Sequence, residues 1–315
     1  WGTSSWRWNR WYSRTKAGAF VSGLFARAVA SVRLRREIVR RHEQEPYDLI
    51  FQNQVIESPG VPSSLMGRVP LVMCPQTEMA GELRCLLAEW RLSLRCQPPY
   101  ILVLVSAVMF FRALVQRAMI RRADLLIGIS SVFRDHIVRD YGFPVENTIV
   151  IQNPINLERF STVENLDRPL GDPPIVLVAT RIAVRKGIED IVAVAKTLLD
   201  RGVNARVRVI GGPSLFSDYT KLLEDLPAEN SEYAGSVRHS EMPDEFARCD
   251  MMLLPSKFDP CPLAVLEAFA SGVPVVATRE VGSIENVDRS VAAEVATGDV
   301  EGLATAITEM LDRLS

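Results

Sequence analysis

The stretch from Met251 to Thr278 constrains the fold of this chain more than any other. An apolar run, Met251–Leu254, ends at Pro255-Ser256. A loop follows, then Leu263, Leu266 and Phe269/Ala270 at helical spacing, a stop at Gly272, and a second apolar run over 273–278. Pro262 suits the first turn of the helix, since it has no N–H to leave unpaired and its φ is preset. Strand, loop, helix, strand is the repeating unit of a parallel sheet. The alternation extends through the whole second half. Segments 175–180, 206–211, 232–237, 250–254 and 273–278 read as strands, with helices near 187–201, 216–226, 241–248, 263–271 and 300–314. This predicts an α/β, doubly wound sheet, whose ligands bind beyond the carboxyl ends of the strands.

Two carboxylates stand out in the opening unit. Asp259 lies in the loop before the helix and Glu267 on its second turn, about 7–8 Å along the axis from Pro262. Between them the free N–H groups of the helix start favour an anion. Acceptors of hydroxyl protons on both sides of an anion site suit a ligand with hydroxyls flanking a diphosphate. Taken alone, an exposed loop aspartate and an ordinary helix-surface glutamate explain the pair as well. The first strand of this half ends in Thr180-Arg181-Ile-Ala-Val-Arg185-Lys186-Gly187. Arg181 leaves the strand end, and Lys186 stands where the helix begins, with Gly187 permitting a tight turn. Two fixed cations converging on one point suit a diphosphate, the arginine as a fork of donors and the lysine as a point charge. Two solvated basic loop residues are the alternative.

These segments together resemble the retaining family 4 (group 1) glycosyltransferases of the GT-B type. Asp259-x7-Glu267 followed by Ala268-Phe-Ala-Ser-Gly-Val-Pro-Val-Val-Ala-Thr278 is similar to that family's Glu-x7-Glu signature, with aspartate for the first glutamate and Pro-Cys-Pro where Gly-Phe-Gly is usual. Thr180 to Gly187 resembles its G-R-x-x-x-x-K-G, and Ile210-Gly211-Gly212-Pro213 its G-x-G-P turn. The resemblance implies two Rossmann-like domains and a sugar-nucleotide donor, UDP- or GDP-linked. It implies that Arg181 and Lys186 hold the donor diphosphate, Asp259 the transferred sugar and Glu267 the ribose. Gly211, Gly212, Val237 and Arg238 would lie along the donor, the last two near its base, while Ser256, Cys261, Pro262 and Leu263 would face sugar and phosphate. A closing turn with Gly282 and Glu285 is read as structural. The expected domains are 1–156 on the acceptor side, a linker 157–173 rich in Pro and Gly, and a donor domain 174–315.

Charge is divided unevenly between these halves, with 21 Lys/Arg against 13 Asp/Glu over residues 1–160 and 15 against 25 afterwards. Residues 1–45 hold four of the five tryptophans and ten Lys/Arg, including Arg33, Arg35, Arg36, Arg40 and Arg41 on one predicted helix. Such a mixture suits peripheral contact with an anionic membrane surface or a solvated helix face over core aromatics. No nucleic-acid module is legible. Three histidines, no Asp-x-Asp triplet and five cysteines (74, 85, 96, 249, 261) without ligand spacing predict no metal, no cofactor and a reducing, cytoplasmic setting. The twelve-residue apolar run 100–111 is shorter than the roughly 20 residues a spanning helix needs. It is expected as a buried core helix.

The first half carries four strand candidates, 47–54, 69–74, 124–130 and 148–153, with a helical stretch 77–122 broken at Pro98-Pro99. The family's opening strand and Gly-rich loop are not legible. Cys74-Pro-Gln-Thr-Glu-Met79 stands where the family often has a histidine, leaving Glu78 as a substitute base or a surface residue. The N-terminal domain is therefore read as incomplete, and the chain as truncated at both ends or divergent. These readings point to transfer of a sugar to a hydroxyl on a carbohydrate or lipid-linked acceptor, in polysaccharide or glycolipid synthesis. The competing readings are a sugar-nucleotide-binding protein without transferase activity and, more distantly, an epimerase.

Overall fold

A computed structural model of the chain describes residues 32–53, 61–160, 169–213 and 218–314. The tryptophans at 1, 6, 8 and 11 lie outside the described residues, as does the middle of the expected linker. The arginines from 33 to 41 do share a helix, which runs through 32–44.

Two parallel sheets organise the rest. The first has the order β1-β2-β3-β4, formed by Ile50–Asn53, Leu71–Cys74, Leu125–Gly128 and Thr148–Val150. The second has the order β10-β9-β8-β5-β6-β7. Its strands are β5 Ile175–Ala179, β6 Arg206–Ile210, β7 Ser231–Gly235, β8 Met251–Leu254, β9 Val275–Thr278 and β10 Ala292–Val295. Chain order reverses between β5 and β8, which pair through Val176–Met251 and Leu177–Met252. A crevice opens at such a reversal because the loops after the two central strands turn to opposite faces. Arg181 follows one of those strands and Asp259 the other.

β5, β8 and β9 are buried on both faces and therefore read as continuous apolar runs. One side of the sheet is filled by Ile188–Asp200 and Val300–Leu314, the other by Met242–Arg248 and Leu263–Ala270. The two halves interlock, since Leu86 of the first half joins the core under the second sheet. Cys261 and Leu266 pack in return against the core of the first. Leu157–Phe160, placed in the linker by sequence, is a helical turn whose Phe160 is buried against the second sheet's core.

The stretch 77–122 forms three helices, Met79–Ala88, Trp90–Cys96 and Pro99–Ile120, with Pro99 in the first turn of the last. The expectation of a buried core helix at 100–111 is corrected. The apolar run belongs to a 22-residue helix with only Ala113, Gln116 and Ile120 buried, while Tyr100, Val103 and Phe111 are 70%, 69% and 67% exposed. Hydrophobicity without a polar face leaves no period by which sequence could say which side is covered.

Candidate functional site

The loops leaving β5 and β8 meet face to face. Gly187 makes the junction: its φ is +64°, and a Cβ there would stand 2.1 Å from the carbonyl oxygen of Pro255. Only glycine permits both the left-handed turn and that approach. Lys257 N–H then donates to the Arg185 carbonyl at 2.8 Å, so the two loops share a short ladder. Gly211 does the same for the neighbouring strand end. At φ +139° its missing Cβ would lie 1.7 Å from the Thr180 carbonyl oxygen, directly before Arg181.

This framework gathers Thr180, Arg181, Arg185, Lys186, Asp259, Cys261, Pro262 and Leu263 around a cleft of about 400 Å³. Gln76, Thr77, Glu82, Ile129 and Asn153 form the opposing wall, so both halves of the chain contribute. The Lys186 ammonium donates to Asp259 Oδ2 in a buried ion pair. Arg185 lies 3.7 Å from Asp259 Oδ1, donates to the Phe258 carbonyl at 3.0 Å and approaches Glu82 across the cleft at 3.5 Å. Burial pushes the Lys186 pKa down to about 8. The Asp259 charge opposes this, and the cations at Arg185 and Arg181 add to it. An ammonium among cations, kept protonated by one carboxylate, is a site that gains from an entering anion.

The helix Leu263–Ala270 presents its first amides to the same cleft, with no side-chain cap on them. Glu267 lies on its next turn, buried and outside the cleft lining, with His239 Nδ1 at 4.0 Å. Burial raises its pKa, and His239 and Arg159 partly offset the rise.

The other predicted donor contacts are placed differently. Ser256 does not face the cleft: it is fully buried behind Asp259, its hydroxyl 3.4 Å from Asp259 Oδ2 and its carbonyl accepting from Thr278. Gly211 and Gly212 act through backbone, Gly212 O accepting from Ile182 N–H at 2.9 Å. Val237 packs against the core, and exposed Arg238 is held by Glu241 at 3.0 Å. Glu78 is neither a surface residue nor a free base. Its carboxylate is fully buried and caps the helix Met79–Ala88, accepting from Ala80 and Gly81 N–H at 2.8 and 2.5 Å. Burial and the charge of Asp140 raise its pKa.

Glu285 fulfils the structural role assigned to its turn, by a route invisible in sequence. Both its oxygens accept from Ser131 N–H, at 2.7 and 2.8 Å, so a carboxylate of the second half caps Ser131–Tyr141 of the first. On the same helix His136 meets Glu280 at 3.3 Å, a hydrogen bond that lowers the Glu280 pKa. Among the described residues, Glu78, His136 and Asp140 bring three possible metal ligands within 4.8 Å of one another. Arg84 at 2.5 Å and Arg139 at 2.9 Å already neutralise Asp140, which disfavours a cation there.

Arg185, Glu82 and Lys257 escaped the sequence reading as site residues. Arg185 adjoins Lys186 and could have been noticed as a second cation. Glu82 and Glu89 could not, because they reach Arg185 and Lys257 only across the seam between the halves.

The family model described as glycosyl transferases group 1 matches residues 173–313, and that described as glycosyl transferase 4-like domain matches residues 5–154. The chain belongs to the group 1 glycosyltransferases of the GT4 type. It is 28% identical over 202 residues to a glycogen synthase of Mycobacterium tuberculosis, covering 63% of this chain and 48% of that protein. It is 26% identical over 216 residues to the GDP-mannose-dependent alpha-(1-6)-phosphatidylinositol monomannoside mannosyltransferase of the same species, covering 62% and 56%. The chain thus spans about half the length of these curated relatives. Sucrose-phosphate synthase from Thermosynechococcus elongatus superposes with a TM-score of 0.66 at 21% identity, covering 89% of this chain and 68% of that one. HepE of Anabaena, in complex with UDP and glucose, gives 0.62 at 18%, covering 89% and 72%. The fold is that of the GT-B enzymes.

Proposed function

We propose that this chain transfers a sugar from a nucleotide-diphosphate donor, UDP- or GDP-linked, to a hydroxyl of a carbohydrate or lipid-linked acceptor, with retention at the anomeric carbon. One observation carries the reading: Arg181, Lys186 and an uncapped helix start share one cleft with Asp259, at the reversal point of the second sheet. The neighbour captured with UDP and glucose and the relative that depends on GDP-mannose favour this donor class.

In this mechanism the bond from the anomeric carbon to the diphosphate oxygen breaks as positive charge develops on the sugar ring. Arg181, Lys186 and the amides at Leu263 stabilise the departing charge without reorganising. Asp259 keeps Lys186 protonated and aimed. An ionised carboxylate has about four acceptor positions, so one engaged by lysine still accepts a sugar hydroxyl. Glu267 accepts from ribose hydroxyls. The acceptor oxygen attacks from the face the diphosphate leaves, and its proton passes to a diphosphate oxygen, so no covalent nucleophile is assigned. Metal and cofactor have no part in this scheme.

Thermal stabilisation by a panel of nucleoside diphosphates and their sugars identifies the donor. Diphosphate release on adding an acceptor supports transfer. Stabilisation with no release under any acceptor supports the competing reading, a binding protein without transferase activity. Absence of stabilisation by every member of the panel overturns both.

A further inference from the structure

We propose that the exposed face of the helix Pro99–Ile120 docks this protein on an anionic lipid surface, lying in the plane of the headgroups. This proposal is independent of the donor-site reading.

On that helix Tyr100, Val103, Leu104, Phe111, Leu114 and Val115 recur at helical spacing and are all exposed. With Ala107 and Ala118 they form a stripe about 27 Å long without a charged member. A contiguous apolar face of this size on a soluble domain marks an interaction surface. The helix is long and apolar enough to cross a membrane by composition, but its other face is committed. Buried Gln116 accepts from Met79 N–H at 2.9 Å and from the Tyr141 hydroxyl at 2.6 Å, and donates to the Thr77 carbonyl at 2.6 Å. Crossing the bilayer would strip these bonds and the contacts around Ile120, whereas lying on it costs neither.

Charge selects the occupant. From Trp90 to Ala123 the chain has six arginines and no acid. Arg117 and Arg122 are exposed and form no ion pair among the described residues. A second copy meeting the same stripe across a two-fold axis would set these arginines against one another. Anionic headgroups complement them, each arginine near such a surface adding about fivefold to binding. Trp90, half exposed beneath the Arg91 guanidinium at 5.3 Å, has the amphipathic character favoured at that boundary.

The test is sedimentation of the full chain with vesicles of phosphatidylcholine alone or mixed in equal parts with phosphatidylglycerol. The expected result is retention on the mixed vesicles, weakened by salt. The double variant Val103→Asp/Phe111→Asp should lower the bound fraction at least about tenfold while melting as the parent does. Arg117→Ser/Arg122→Ser should weaken binding to the mixed vesicles alone, by about fivefold per arginine. Failure of the parent to bind mixed vesicles, or binding that both variants leave intact, overturns the proposal. So does a dimer in light scattering that the aspartate variant dissolves while vesicles fail to retain the parent, which would assign the face to a second copy.

Discussion

Lys186 and Asp259, 73 residues apart in the chain, are joined in a buried ion pair at the carboxyl ends of β5 and β8. Each residue depends on the other. Without the carboxylate the ammonium would be buried among cations, and without the ammonium the carboxylate would keep only the Ser256 hydroxyl at 3.4 Å and the Arg185 guanidinium at 3.7 Å.

Asp259→Asn removes the one charge that holds Lys186 protonated, so the Lys186 pKa should fall further below about 8. The alkaline limb of the pH profile for nucleoside diphosphate binding should then move to lower pH. Isothermal titration across pH 6–9 for parent and variant checks this; a limb that stays in place contradicts the assigned pairing.

With its pKa pushed down to about 8, Lys186 in the parent is mostly protonated at pH 7 and loses its proton as pH rises through that value. An entering diphosphate favours the ammonium, so binding above about pH 8 should draw a proton from buffer. At pH 7 it should draw almost none. Calorimetry in buffers of different ionisation enthalpy reads the uptake directly.

Arg181→Ala should weaken the diphosphate by about tenfold or more, since a charge-assisted hydrogen bond is worth about 1.5–3 kcal/mol. Thermal stability without ligand should be nearly unchanged, because Arg181 is exposed and no ion pair holds it among the described residues. Donor affinity equal to that of the parent would remove Arg181 from the site.

Glu285→Ala should cost about 1–2 kcal/mol in denaturant unfolding, the range for losing a side-chain cap. Glu285→Gln should retain part of that stability, since an amide oxygen still accepts from Ser131. The loss should fall on contacts between the halves, seen as faster amide exchange at residues 131–133.

Gly211→Ala should destabilise by more than about 2 kcal/mol, because a Cβ there would overlap the Thr180 carbonyl oxygen. Its effect on ligand binding should appear as a displaced Arg181, with affinity falling even under conditions where the variant is folded.

Much of this arrangement was legible because it is local. β5, β8 and β9 announce themselves as buried apolar runs, and Arg181, Lys186 and Asp259 stand in the loops after the first two. β10 was missed: Ala292–Val295 is short, alanine-rich and half exposed, with no β-branched run to mark it. Ser256 was assigned to the ligand by its place in a motif, yet its burial depends on how the loop folds back beneath Asp259. Glu78 showed no sign of burial in sequence, although an acid before a helix is a recognisable cap. The exposure of Pro99–Ile120 was illegible for the opposite reason. Its apolar residues are spread around the helix, and one of its few polar ones, Gln116, lies on the covered side, so the pattern does not show which face is exposed.

The carboxylate of Glu285 leaves a polarity in the cleft. By occupying the amides at Ser131 and Val132, it cancels the positive pole of the helix that follows Ile129 of the opposing wall. The uncapped pole at Leu263 then sits on the same side as Arg181 and Lys186. An elongated, doubly charged guest is therefore pulled from one end only, and it seats in a single sense rather than head-to-tail.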